Sequence, residues 1–400
     1  MDDKRDSKPY HIVLWGGWYG SHNIGDQLLL LTITDLIQDE LKNVTFTILT
    51  DSPKNIQTYM QAESNCTIEP LASRHQIIRL IRVLASADFF IIGGGVPYFQ
   101  NPKQIAVIAF LTGLCKLFKT PYGNWCVSSQ PVSSGPAKRI FGWILNCASF
   151  ITFRDNHTLQ LFEACGVKKQ MLKCADSAFT YLPLLEGKNL DQLQLFGQRD
   201  IKRPLIALMP RTLSGQENKN QTHYTKQSEK EFHREIESFS AALDWSWENG
   251  FQPIFIPMNT FGEDDDRRAT KLCVQKAKYG RNALLIDEEI RPQDVVRILS
   301  ECQASFSARV HGSILSAICQ CPVMMYAFQP KHEGIMFEMG LQDYILKPEN
   351  ASSEATCYLL ETLVTNRDQI HKNLLLTLNE LNNSARLPLQ LLIKYLTKTK

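Results

Sequence analysis

The sequence predicts an α/β protein built from two Rossmann-like doubly wound domains facing a cleft, with a helical segment at the C-terminal end. Three observations carry that expectation. Short apolar, β-branched runs alternate with helical stretches through both halves of the chain. Glycine loops or cations follow several of those runs at their carboxyl ends. The alternation breaks only once, over residues 184–203, which read as a linker. At 400 residues the chain exceeds what one hydrophobic core ordinarily serves. The expected division is residues 1–190, 200–350 and a helical tail over 351–400.

In the first half, the strand His11–Trp15 ends in glycines, and a helix starts near Asn23, capped by Asn23 or Ser21 with Asp26 in its first turn. A β-branched strand follows over 44–49, then a helix over 73–85 with apolar residues at helical spacing. The strand Asp88–Ile92 runs into Gly93, Gly94 and Gly95. A helix over 102–118, a strand over 121–127, a helix over 136–148 and the strand Phe150–Phe153 complete the half. In the second half, strands are expected at 205–209, 253–257, 283–286, 303–308 and 323–326, with helices between them.

Composition narrows the function. Lys+Arg 43 against Asp+Glu 41 leaves no global field for nucleic acid. The eleven cysteines are scattered without Cys-x-x-Cys spacing, which indicates reduced core thiols in a cytoplasmic protein and no zinc site. The charged N-terminus leading into a strand is not a secretory leader. The longest apolar stretch, Ile105–Cys115, is too short to span a bilayer, while peripheral contact with the inner face of a membrane stays open.

Arg309-Val310-His311 is the most informative triplet, because it stands between a strand and a helix, where open α/β sheets bind ligands. Arg211 occupies the same kind of position after 205–209, and Lys331 follows the strand at 323–326. Two arginines there suit a clamp on a carboxylate or phosphate, with the helix N-terminus adding amide donors. The plainer reading, a surface ion pair and a helix cap, fits the triplet equally well. The four glycines and polar residues from Gly16 to Asp26, among them Gly20, Asn23 and Gly25, match neither a dinucleotide fingerprint nor a P-loop. With Gly93–Gly95 they form two glycine loops at strand ends. Arg154-Asp155 reads more readily as an ion pair and a cap than as a site. The acidic run Glu263–Asp266 reads as a solvated helix start, and no metal is expected.

These residues resemble the polysaccharide pyruvyl transferase family. Gly17-Trp-Tyr-Gly20-Ser-His-Asn23-Ile-Gly25-Asp26-Gln27 is similar to the family's Gly-Tyr-Tyr-Gly-x-x-Asn-x-Gly-Asp-Glu. Gly93–Gly95 resembles its triple glycine, Arg154-Asp155-Asn-His-Thr158 its Arg-Asp-x-x-Ser, and Asp176-Ser-Ala-Phe179 its Asp-Pro-x-Phe. Arg309-Val-His311 is similar to its Arg-x-His, and Tyr326…Lys331 matches its Tyr-x-x-Lys region loosely. The departures are Gln27 for an acid, Ser177 for a proline, Val127-Ser-Ser-Gln-Pro131 for a glycine-rich segment, and Tyr98-Phe-Gln100 where an aspartate is usual. Most lie in the first half, which the resemblance makes the acceptor side.

The resemblance implies a GT-B-like fold and transfer of a pyruvyl group from phosphoenolpyruvate to two hydroxyls of one sugar. The product is a cyclic ketal of an exopolysaccharide or its precursor, with phosphate released. Arg211, Arg309 and Lys331 would then bind the donor and His311 would move protons. Gly20, Asn23, Gly25, Asp26, Gly93, Gly94, Gly95 and Arg154 would line the acceptor loops. The acceptor would be a glycan or a lipid-linked sugar, and no cofactor is implied. A GT-B-type nucleotide-sugar glycosyltransferase and a catalytically inactive binding protein stay open as alternatives.

Overall fold

A computed structural model describes residues 9–16, 18–63, 67–72, 76–97, 102–132, 135–181, 202–213 and 226–398. Gly17, Gln100 and nearly all of the expected linker lie outside the described residues. The chain divides into two compact units. One comprises residues 1–21, 26–181 and 381–400, and the other residues 22–25 and 182–380.

In the first unit the order is β1 (Tyr10–Trp15), α1 (Ile24–Leu41), β2 (Val44–Thr50), α2 (Pro53–Glu63), β3 (Thr67–Ala72), α3 (Ile77–Ser86) and β4 (Phe89–Gly93). Then come α4 (Pro102–Phe118), β5 (Tyr122–Val127), α5 (Gly135–Cys147), β6 (Ile151–Phe153), α6 (Asn156–Ala164) and β7 (Met171–Lys173). The sheet is parallel with order β3-β2-β1-β4-β5-β6-β7. Its central strands are buried on both faces, which is why Ile12–Leu14 and Phe89–Ile92 read as continuous apolar runs.

The second unit carries β8 (Leu205–Met209), α7 (Lys226–Glu248), β9 (Gln252–Phe255), α8 (Arg267–Lys276), β10 (Leu284–Leu285), α9 (Pro292–Ser300) and β11 (Cys302–Ser307). After them come α10 (Val310–Ile318), β12 (Val323–Tyr326), α11 (Pro330–Glu338), β13 (Ile345–Leu346) and α12 (Ser353–Thr365). This sheet is also parallel, with order β10-β9-β8-β11-β12-β13.

Each sheet reverses its winding once. The strand after β3 returns to the far side of β1, and the strand after β10 returns to the far side of β8. The β1/β4 and β8/β11 neighbours are therefore the switch points, where loops at the carboxyl ends diverge and leave room for a ligand. Gly16 follows β1, Gly93 ends β4 with Gly94 and Gly95 after it, and Arg211 and Arg309 follow the second pair.

The expected helical tail is shared between the units. The helix α13 (Arg367–Ala385) leaves the second, and α14 (Leu387–Lys398) lies in the first. Ser384 Oγ accepts from Ala175 N at 3.0 Å, and Tyr395 packs edge-on against Phe89 with ring centroids 5.6 Å apart. Five elements have no counterpart in the sequence expectation: α2, α11, β3, β7 and β13. Strand β3 carries Glu69 and Pro70 and lies at the sheet edge, where a missing amide donor is tolerated. The helix expected from Glu263 starts four residues later, at Arg267.

Candidate active site

In the second unit, Arg309 leaves β11 as the residue before α10. Its guanidinium grips Asp266 with two donors, Nη2 to Oδ1 at 2.5 Å and Nε to Oδ2 at 3.1 Å. Asp266 also accepts from the amides of Thr212 and Asn259, each at 3.0 Å. One carboxylate thus ties together the loops following β8, β9 and β11. Its exposure is 0%, so the expectation of a solvated acidic helix start fails at this residue. Its backbone sits next to α8, but its side chain is drawn inward by four donors and makes no cap hydrogen bond. Asp265, by contrast, stays partly exposed and pairs with Arg267.

Arg211 is held in a parallel way. Its amide donates to Glu235 Oε1 at 2.9 Å, its Nε lies 3.6 Å from Oε2, and its guanidinium stacks 3.6 Å from the Phe328 ring. Glu235 is wholly buried. Burial pushes both carboxyls above their ordinary range, against the lowering pull of Arg211 on Glu235 and of Arg309 on Asp266. Next to Phe328 lies buried His332, whose basicity falls far below the usual imidazole range. Burial is the main cause, and the charges of Lys331, Arg211 and Arg309 follow.

His311 stands in the first turn of α10, half-buried. Residues 22–25 belong to this unit and reach it. Ile24 N donates to Met258 O at 2.9 Å, Thr260 N donates to His22 O at 3.1 Å, and Asn23 bridges Asn259. Asn23 Oδ1 accepts from Gly25 N at 2.9 Å, the cap expected for α1. Gly25 lies flat on His311: a Cβ there would come 2.1 Å from Nδ1. Gly25→Ala is accordingly expected to displace the imidazole and lower activity about as far as removal of His311 itself. Equal activity of Gly25→Ala and wild type in a turnover assay would show that the contact is not needed.

In the first unit the two glycine loops pack on one another. The Tyr19 hydroxyl donates to Gly93 O at 2.5 Å, and burial, with Asp26 nearby, keeps that phenol protonated. Gly94 and Gly95 have φ of +73° and +72°, a region that side chains rarely adopt. A Cβ on Gly95 would lie 3.4 Å from Asp26 Oδ1, which places Asp26 over the triple glycine. Gly20 O accepts from Asn55 Nδ2 at 3.1 Å. Gln27 is buried, its Nε2 3.4 Å from Ser21 O.

Arg154 and Asp155 are structural in their contacts. Arg154 forms a buried ion pair with Asp176 and donates to Ser128 Oγ at 2.7 Å. Asp155 caps α6 through Thr158 N at 2.7 Å. The serine that stands where the family pattern has proline also has a partner, since Ser177 Oγ accepts from Trp125 Nε1 at 2.9 Å.

Nothing in the sequence singles out Glu235 or His332. An acid inside a long polar helix and a histidine after a lysine both look solvated until the packing is known. Among the described residues no group of three His, Cys, Asp or Glu side chains could hold a metal ion, and no helix is long and apolar enough to cross a membrane.

The fold has many solved relatives. A glycosyltransferase from Rickettsia africae superposes with a TM-score of 0.62 at 12% identity, over 98% of this chain and 99% of that one. A putative UDP-N-acetylglucosamine 2-epimerase from Listeria monocytogenes gives 0.61 at 11%, over 98% of each chain. The UDP-GlcNAc 2-epimerase from Neisseria meningitidis, bound to UDP-GlcNAc, gives 0.58 at 8%, over 96% of this chain and 100% of that one. At such identities the likeness establishes a GT-B-like fold and nothing about substrate. No curated protein matches the sequence significantly. Residues 23–330 match the family described as polysaccharide pyruvyl transferase, a span that takes in Asn23, Gly93–Gly95, Arg154, Arg211 and Arg309-Val-His311, and the chain belongs to that family.

Proposed function

We propose that the protein transfers a pyruvyl group from phosphoenolpyruvate to two hydroxyls of one sugar in a polysaccharide or its lipid-linked precursor, forming a cyclic ketal and releasing phosphate. The observation that carries this reading is the pairing of Arg211 and Arg309 beyond adjacent strands at the switch point, with His311 beside them. A donor bearing a carboxylate and a phosphate needs that density of fixed cations, and Lys331 adds a third. With Nε and Nη2 of Arg309 turned to Asp266, a donor oxyanion meets the Nη1 side.

The chemistry then needs one proton put on and two removed. A proton delivered to the donor's methylene carbon makes the adjacent carbon electrophilic. The first sugar hydroxyl adds there and loses its proton. The bond to phosphate breaks, the second hydroxyl closes the ring and loses its own proton, and the departing phosphate takes up the surplus proton. His311, in the first turn of α10 against Gly25, exchanges these protons.

Replacing Arg211 or Arg309 with Ala is expected to weaken phosphoenolpyruvate binding by about 1.5–3 kcal/mol, the scale of a charge-assisted hydrogen bond. Calorimetric titration measures this directly. Normal donor affinity in both variants would remove the clamp from the account.

A further inference from the structure

Outside the candidate site, the outer side of three helices in the first unit exposes a run of large apolar residues. Helix α4 packs between α3 and α5. Their inner residues, among them Leu80, Leu84, Ile108, Leu111, Phe141 and Leu145, share one hydrophobic core against the sheet. A surface helix ordinarily turns polar residues outward. These do not. Ile78 is 65% exposed, Phe110 44%, Leu117 70% and Trp143 41%, with Ile77 and Ile140 exposed beside them. On α4, Val107, Phe110 and Leu117 repeat at three and seven residues, so the exposed apolar row runs along the helix.

Charge follows the same surface. Between residues 76 and 147 the sequence holds a single acid, Asp88, although acids and bases nearly balance over the whole chain. Asp88 is engaged by the amide of His11 at 2.7 Å. The exposed cations Arg82, Lys116, Lys119, Lys138 and Arg139 lie among the apolar residues. Lys116 Nζ stands 4.9 Å from the centre of the Trp143 ring, which ties the two kinds of residue together across α4 and α5.

We propose that the outer face of α3, α4 and α5 docks on an anionic lipid membrane. A bilayer surface receives both features at once, taking aliphatic and aromatic side chains into the headgroup–acyl boundary while its anionic headgroups pair with Lys and Arg. A second copy of the chain meets this chemistry poorly, because a two-fold contact sets like charges against like. A nucleic acid would use the cations and leave the apolar row in water. The helices lie flat on the bilayer, since none of those described is long and apolar enough to cross it. This inference stands apart from the donor assignment: a chain that binds no phosphoenolpyruvate still docks.

Vesicle flotation with purified full-length protein tests it. The protein is expected to float with phosphatidylcholine vesicles containing phosphatidylglycerol and to bind pure phosphatidylcholine far less, with partial release by salt. Phe110→Ser combined with Trp143→Ser is expected to weaken partitioning at least about tenfold, given the apolar surface withdrawn. Lys116→Gln combined with Arg139→Gln is expected to weaken it about thirtyfold, from roughly 1 kcal/mol per cation at an anionic surface. Unchanged melting temperatures would show that both variants keep the fold. The proposal is overturned if the wild-type protein stays unbound with anionic vesicles, or if both variants float as it does. It is equally overturned if sedimentation shows a dimer that Phe110→Ser/Trp143→Ser converts to monomer, since the face would then be a contact between copies.

Discussion

His311→Ala is expected to lower pyruvyl transfer by about 10²–10⁴-fold while the fold survives, the usual cost of removing a positioned acid–base group. The imidazole is half-buried at the N-terminus of α10 and packed against the flat face of Gly25. Its ring position is therefore set by contact as well as by its own helix. Donor affinity should fall less than in the arginine variants, because the permanent charges proposed to hold the anion are those of Arg211 and Arg309. His311→Gln retains a hydrogen-bond donor without proton exchange and should be about as inactive as the alanine variant. If His311 only capped its helix, the loss would instead be about 1 kcal/mol of stability with near-normal turnover. Measuring turnover and melting temperature on one variant separates the two.

Asp266→Ala is expected to cost about 3–5 kcal/mol of stability in the second unit, the range for breaking a buried pair by removing one partner. Arg309 would lose both contacts to its guanidinium, and the amides of Thr212 and Asn259 would lose their acceptor. Donor affinity should fall with it, because Arg309 is aimed by this carboxylate. Asp266→Asn keeps the shape and should cost less. The pH dependence has a definite sign. Burial raises the folded-state pKa of Asp266. Its proton-linked share of stability is therefore present below the unfolded pKa and is lost as pH rises through the folded value. Wild type should accordingly lose stability relative to Asp266→Asn as pH rises through the folded value, because only the wild-type side chain ionises. Denaturant titrations at several pH values check this, and a constant difference across the range would count against it.

Much of this architecture is legible in the sequence because strands buried on both faces must be apolar throughout, and because a parallel sheet must place the following loops at carboxyl ends. That logic places Arg211, Arg309, Gly16 and Gly93–Gly95 at carboxyl ends of strands, and the observed strand order makes those ends the two switch points. It fails where a residue's surroundings come from distant segments. Asp266 stands in an acidic run and looks solvated, yet three loops converge on it. Glu235 sits mid-helix like any exposed acid, and only the packing of α7 buries it. Residues 22–25 read as the start of α1 in the first unit, although their hydrogen bonds go to Met258, Asn259 and Thr260 in the second. Short or edge strands such as β3 and β13 bury too little to leave an apolar signature.

The central claim is that the second unit's arginines bind phosphoenolpyruvate as donor, and calorimetric titration of the purified protein without acceptor tests it most directly. Phosphoenolpyruvate is expected to bind one to one and to stabilise the protein, by about 2.7 kcal/mol at a hundredfold excess over Kd, with both effects reduced in Arg309→Ala. The same titration with UDP-N-acetylglucosamine is expected to show no binding. Binding of the nucleotide sugar with no response to phosphoenolpyruvate would contradict the account and favour a glycosyltransferase-type donor on the same fold.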